Sequence, residues 1–94
     1  MFDIKLAGDD RILLSGRFDA SQVDKANAVF GGIKTTCVVD FKDLDYISSA
    51  GLSVLLATQK RLSQTGQCLN LRNMNVHIRQ VFDYAGFHVI FKIE

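Results

Sequence analysis

Phe2, Ile4 and Leu6 alternate with Asp3 and Lys5 at the start of the chain, the period of a strand with one face in water. Gly8-Asp-Asp10 reads as a turn of short polar residues, and Arg11-Ile-Leu-Leu-Ser-Gly16 as the returning strand of a hairpin. The period then changes. Asp19 has the short acceptor side chain of a helix N-cap, Val23, Ala26 and Phe30 follow at helical spacing, and Gly31-Gly32 ends the segment. Thr35-Thr-Cys-Val-Val-Asp-Phe41 is almost continuously apolar or β-branched, which predicts a central strand buried on both faces.

Lys42-Asp-Leu-Asp45 is expected to be a loop, continuing through Ser48 and Ser49 to a helix that starts near Ala50. Leu52, Leu55, Leu56 and Leu62 form the predicted buried stripe of that helix, with Gly66 as the residue just past its end. Gln67-Cys-Leu-Asn-Leu71 reads as a strand. Asn73 or Asn75 caps a third helix with Ile78, Val81, Phe82 and Ala85 on its apolar face, and Gly86 ends it. Phe87-His-Val-Ile-Phe-Lys-Ile93 closes the chain as a strand. The order β-β-α-β-α-β-α-β predicts an α/β fold, expected as one domain over residues 1–94. Its mixed central sheet starts with an N-terminal hairpin and continues in parallel βαβ units, with helices packed mainly on one face. Ser48 and Ser49 then follow a central parallel strand, where α/β domains place their sites.

Composition narrows the chemistry. The 94 residues are 48% hydrophobic and 22% charged with a formal net charge of +1, the balance of a globular domain. No face concentrates the 11 Lys and Arg, so neither nucleic acid nor an anionic membrane is an expected partner. No run of about 18 apolar residues predicts a membrane span. Asp3 interrupts a start that lacks a basic region, so no secretory signal is expected and a cytoplasmic location is. Cys37 and Cys68 read as reduced, buried small hydrophobes. With His77 and His88 they lack zinc-ligand spacing, so no metal or other cofactor is expected. Asp40, Asp43 and Asp45 read as solvated loop carboxylates rather than a cation site or phosphoacceptor, and Asp9-Asp10 as turn formers.

Adjacent hydroxyls at a helix start admit three roles: helix cap, phosphoacceptor and nucleophile. Serine caps helices well. The orphan N–H groups and dipole of a helix start also favour an anion such as a phosphate. Gly51, lacking a side chain, is expected to leave the backbone open to a macromolecule. A nucleophile needs a base and a group that orients it, and neither His77 nor His88 belongs to such a signature. No P-loop is present either, so an enzyme is not expected.

Leu14-Ser-Gly-Arg-Phe-Asp19, Val38-Val-Asp-Phe41, Leu44-Asp-Tyr-Ile-Ser-Ser-Ala-Gly-Leu52 and the tail Val76, Val81-Phe82 and Gly86-Phe87 resemble a stand-alone STAS domain of the anti-sigma factor antagonist family, in its "ISSAGL" subgroup. The resemblance covers essentially the whole chain. It implies the STAS fold and a non-enzymatic partner switch. Unphosphorylated, such a protein binds a serine kinase that doubles as an anti-sigma factor; the kinase phosphorylates it and the complex separates; a metal-dependent serine phosphatase resets it. The commonest family motif reads Asp-Ser-Ser/Thr-Gly-Leu, with the acceptor just before the glycine. Aligned on Gly51 and Leu52, that position is Ala50 and the leading Asp falls on Ser48. The acceptor implied here is therefore Ser49, with Ser48 the second choice. Asp19, Tyr46, Ile47, Ser48, Ala50, Gly51, Leu52 and Leu55 are the candidates for partner contact, with core packing the competing role for Ile47 and Leu55. A cytosolic subunit of a membrane transport system, or a docking domain without phosphorylation, is the alternative. A chain ending at Glu94 leaves out the fourth helix of many relatives, and a monomer or weak dimer is expected.

Overall fold

A computed structural model describes residues 1–8 and 10–94; the expected turn at Asp9 lies outside the described residues. Five strands form one sheet in sequential order: β1 (Phe2–Leu6), β2 (Arg11–Phe18), β3 (Cys37–Ile47), β4 (Leu69–Arg72) and β5 (Lys92–Ile93). β1 and β2 pair antiparallel, and all later neighbours pair parallel. Three helices intervene: α1 (Val23–Phe30), α2 (Ser49–Ser63) and α3 (Val76–Tyr84). The mixed sheet and its hairpin start are as the pattern predicts.

Strand β3 differs from expectation, and the difference builds the site. It runs eleven residues, through the segment expected to be a loop. Its buried residues are Cys37, Val39, Phe41, Leu44 and Ile47, so the spacing is two, two, three, three. The pairing explains the change. Leu13 faces Asp40 but Ser15 faces Asp43; Gly16 faces Leu44 but Arg17 faces Tyr46. Each step inserts one extra residue into β3, a bulge that resets which side chains face inward. Asp40 Oδ1 accepts from Lys42 N at 2.9 Å beside the first bulge. The strand is also not buried on both faces: Val38 and Asp40 are only half-buried on the side away from the core.

Past residue 40, β3 has no strand on its β4 side, because β4 pairs only with Cys37–Asp40. α3 packs there instead, and Asn75 Nδ2 donates to Leu44 O at 3.2 Å. Asn75, not Asn73, is the α3 cap, its Oδ1 accepting from Ile78 N at 2.9 Å. The expected closing strand over 87–93 is instead a 3-10 turn at Phe87–Val89 followed by the two-residue β5. Phe82, fully buried, meets Phe41, Phe87 and Phe91 edge-on with ring centroids 5.8, 6.1 and 5.8 Å apart. This cluster fastens α3 and the turn after it to the sheet.

Helix α2 buries Leu52, Val54, Leu55, Thr58 and Leu62, while Leu56, expected in the stripe, is half-buried. Its end is as predicted. Gly66 has φ +76°, Gln67 N donates to Leu62 O at 3.0 Å and Gly66 N to Ser63 O at 3.1 Å, which together make a Schellman motif. Arg61 donates to Ile33 O at 2.6 Å and to Phe30 O at 2.7 Å. It thereby satisfies carbonyls at the C-terminus of α1 and ties the two helices together.

The cysteines divide. Cys37 is buried, and burial pushes its thiol up to about 11, whereas Cys68 is half-buried. Cys37 N donates to Cys68 O at 3.2 Å, so their backbones are neighbours. A thiol reagent at neutral pH is expected to modify Cys68 in the folded protein and Cys37 only after denaturation, because the thiolate is the reacting form. Equal labelling of both thiols under native conditions, read by peptide mass spectrometry, would contradict the burial.

Candidate functional site

The two bulges carry the end of β3 to the end of β2, where Ser48 N donates to Phe18 O at 2.9 Å. The chain turns there and enters α2. Ser48 is the N-cap: its backbone is extended, and its Oγ accepts from Gly51 N at 3.3 Å. Ser49 is the first helical residue and is exposed. Its carbonyl accepts from Ser53 Oγ at 3.0 Å. The two adjacent hydroxyls therefore have different surroundings. One is half-buried and occupied with the backbone; the other faces solvent at the positive end of a 15-residue helix.

Asp19 follows Phe18 directly and stands beside this loop. Its carboxylate caps the 3-10 turn Ala20–Gln22 that leads into α1, accepting from Ser21 N at 3.0 Å. Hydrogen bonding from the Ser21 hydroxyl, with help from Ser21 N and the charge of Arg17, holds the Asp19 carboxyl below its ordinary value. The Arg17 guanidinium lies 4.2 Å from the centroid of the Tyr46 ring, which keeps this half-exposed ring against the sheet.

Four of the candidates for partner contact are buried, and Leu52, 8% exposed, keeps only an edge toward solvent. Ile47 and Leu55 are core residues, with 4% and 0% of their surface exposed. Gly51 is buried as well, so it does not open the backbone to an outside molecule. A Cβ at Gly51 would come within 2.8 Å of Ile47 Cγ1 and 3.1 Å of both Phe18 Cγ and Phe18 O. The glycine lets the first turn of α2 sit directly on the ends of β2 and β3. Asp19, Tyr46, Ser48, Ser49 and Ala50 keep accessible surface, and Leu52 lines a groove.

That groove, about 630 Å³ and open to solvent, runs between α2 and α3. Ser49 and Leu52 form one wall; His77, Gln80, Val81, Tyr84 and Ala85 form the other. Sequence reasoning missed the second wall. Val81 and Ala85 were expected in the core, yet α3 buries only Ile78 and Phe82. Val76, Tyr84 and Val89 are 66%, 96% and 79% exposed, and Tyr84 among them lines the groove. The signal available was Tyr84, seven residues after His77 and thus on the same helical face. A smaller hollow of about 430 Å³, between α1 and α2, is lined by Val23, Asn27, Ala50, Ser53, Val54 and Ala57.

Ser49 and His77 share the groove, but its lining contains no carboxylate to orient the imidazole, so no Ser-His-acid arrangement is assembled there. Among the described residues, no group of three or more His, Cys, Asp or Glu could hold a metal ion. No helix among them is long and apolar enough to cross a membrane.

The family model described as "Mlab, STAS domain" matches residues 3–92. The chain belongs to the STAS domain family. Over 74 residues it is 42% identical to a Bordetella bronchiseptica protein named "Putative anti-sigma factor antagonist BtrV", an overlap of 79% of this chain and 58% of that one. The chain thus spans little more than half the length of that relative. Among solved structures it resembles the anti-sigma factor antagonist SpoIIAA in its unphosphorylated form, with TM-score 0.75 and 21% identity over 100% of this chain and 88% of that one. The phosphorylated form of SpoIIAA from Bacillus gives TM-score 0.71 at 20% identity over 100% and 91%. A Thermotoga maritima protein named "a putative anti-sigma factor antagonist (tm1081)" gives TM-score 0.79 at 21% identity over 98% of this chain and 84% of that one. At these identities the likeness establishes the fold. In this STAS domain the distinctive local feature is the paired serine, one capping and one exposed, at the start of α2.

Proposed function

We propose that this STAS domain is a cytoplasmic, non-enzymatic anti-sigma factor antagonist that works as a phospho-regulated partner switch. Unphosphorylated, it binds a serine kinase acting as an anti-sigma factor. The kinase transfers the terminal phosphoryl group of a nucleoside triphosphate to Ser49 Oγ; the hydroxyl proton leaves, the diphosphate departs, and the complex separates. A metal-dependent serine phosphatase restores the hydroxyl. The observation that carries the reading is the division between the serines: Ser48 is occupied as the cap, and Ser49 is exposed. The name of the 42%-identical relative, and the likeness to a fold solved in both phosphorylated and unphosphorylated forms, support it.

The physics favours release. Phosphorylation adds about two negative charges where the groove wall carries only neutral side chains and an imidazole. Desolvating that dianion against a partner shaped for a hydroxyl is strongly unfavourable. Asp19, Tyr46, Ser48, Ala50 and Leu52 are the proposed contact residues, with Val81 and Tyr84 added from the α3 wall.

The deciding experiment is peptide mass spectrometry on protein purified from its native cells, followed by binding assays with the kinase so identified. One phosphoryl group is expected on Ser49. Ser49→Ala should retain binding and Ser49→Glu should lose at least about tenfold, the effect of roughly 1.4 kcal/mol or more. Full binding by Ser49→Glu would count against switching by charge. A chain left unmodified while its kinase is active would favour a constitutive docking domain or a subunit of a transport system.

A further inference from the structure

We infer that a phosphoryl group on Ser49 lodges in the groove between α2 and α3 against His77, making this histidine a phosphate-holding residue within the chain itself. The inference rests on the reading of Ser49 as the acceptor and deepens it.

Topology brings the two residues together. α2 follows β3 and α3 follows β4, and these strands run parallel as neighbours, so both helices begin at the same end of the sheet. Ser49 is the first residue of α2 and His77 the second of α3, and both line the groove. The capping bond from Gly51 N to Ser48 Oγ leaves the Ser49 side chain outside the cap. From that position a phosphate meets donors on the facing wall: the His77 ring, the Gln80 amide and the Tyr84 hydroxyl.

The charges around His77 permit the contact. α2 contributes Ser49 and Leu52 to the groove; α3 contributes Gln80, Val81, Tyr84 and Ala85. Tyr84 is the other titratable side chain in this lining, and no Asp, Glu, Lys or Arg belongs to it. The remaining charges on α3 are engaged with one another, Arg79 Nε lying 3.2 Å from Asp83 Oδ1; His88 Nδ1, in the 3-10 turn that follows, lies 4.0 Å from the same oxygen. Asp45, the last carboxylate of β3, is exposed and does not line the groove. Among the described residues, the lining offers a phosphate no carboxylate to repel it and the imidazole no carboxylate to compete for it.

The consequence is a groove filled by its own modification. The phosphate bridges the mouth between the helices, and a partner loses both the neutral hydroxyl and the space beside it. Phosphoserine loses its second proton near pH 6, and a donor from the His77 ring favours the dianion over the monoanion. A cation within about 4–6 Å favours the dianion, and in an open, solvated groove the effect is a fraction of its buried value.

The test uses the whole chain with phosphoserine incorporated at position 49 during translation, and ³¹P NMR to follow the phosphate from pH 4 to 8. The titration midpoint is expected about half a pH unit lower than in the same protein carrying His77→Gln. His88→Gln should leave it unmoved, and 0.5 M salt should shrink the difference, as for any solvated charge pair. His77 is exposed, so the glutamine variant keeps its fold, which an HSQC spectrum verifies. Midpoints equal within about 0.1 unit for wild type and His77→Gln would overturn the inference while leaving the switch intact. Absence of phosphate on Ser49 in native cells would instead remove the switch, and the ³¹P comparison would still decide whether the groove holds a phosphate.

Discussion

Phe82→Ala is expected to lower the stability of the folded chain by about 3–5 kcal/mol, the cost of emptying a fully buried aromatic site. Phe82 is 0% exposed and makes edge contacts with Phe41, Phe87 and Phe91. Its loss opens a cavity between β3, α3 and the C-terminal turn, and each edge contact of this kind adds about 0.5–1.5 kcal/mol beyond burial. The native stability of a domain this size is about 5–15 kcal/mol. The variant should therefore unfold at a temperature lower by roughly 12–40 °C, at about 4–8 °C per kcal/mol. Phe82→Leu, which keeps most of the volume but loses the edge contacts, should cost less than Phe82→Ala and remain folded for comparison. Thermal melts by circular dichroism read both. A melt of Phe82→Ala within 5 °C of wild type would mean that α3 is not held by this cluster, and the wall of the groove would have to be reconsidered.

Gly51→Ala is expected to cost about 1–3 kcal/mol despite alanine's higher helix propensity, because the added methyl overpacks a filled site. Its Cβ would stand 2.8 Å from Ile47 Cγ1 and 3.1 Å from Phe18 Cγ and Phe18 O. The carbonyl of Phe18 also accepts from Ser48 N, so it is poorly placed to give way. Relief must come from lifting the first turn of α2, which moves Ser48 and Ser49. Two signatures are therefore expected together: a lower denaturation midpoint, and amide shifts at residues 47–52 that exceed those elsewhere. On the proposed reading of Ser49 as the acceptor, its phosphorylation should slow in the same variant, since that residue is displaced. A stabilised Gly51→Ala would show that the first turn has room the packing denies, and would return Gly51 to the role of an open backbone position.

These two positions also show where sequence reasoning reaches its limit. Gly51 reads naturally as an opening for a partner, because a glycine beside two serines looks like a loop. Its burial comes from Phe18, 33 residues earlier, and no local pattern contains that contact. Phe82 was legible as core through its helical spacing from Ile78, but Val81 and Ala85 carried the same spacing and lie outside it. A helix one strand wide at its contact buries a narrower stripe than the apolar pattern offers.

What the chain determined by itself is the set of features decided within a few residues. Asp19, Ser48 and Asn75 carry the short acceptor side chains that start the 3-10 turn before α1, α2 and α3. Gly66 supplies the left-handed residue that ends α2, and the alternation in Phe2–Leu6 sets the inward face of the first strand. The STAS motif is local too, and it places Ala50, rather than a hydroxyl residue, directly before Gly51.

Tertiary structure decided the rest. Pairing with β2 placed two bulges in β3 and turned an expected loop into the strand that delivers Ser48 to Phe18. Parallel pairing of β3 with β4 put Ser49 and His77, 28 positions apart, into one groove. Capping and turn formation are satisfied by neighbours along the chain, whereas bulges, helix faces and clefts depend on which distant surfaces exclude water from each other.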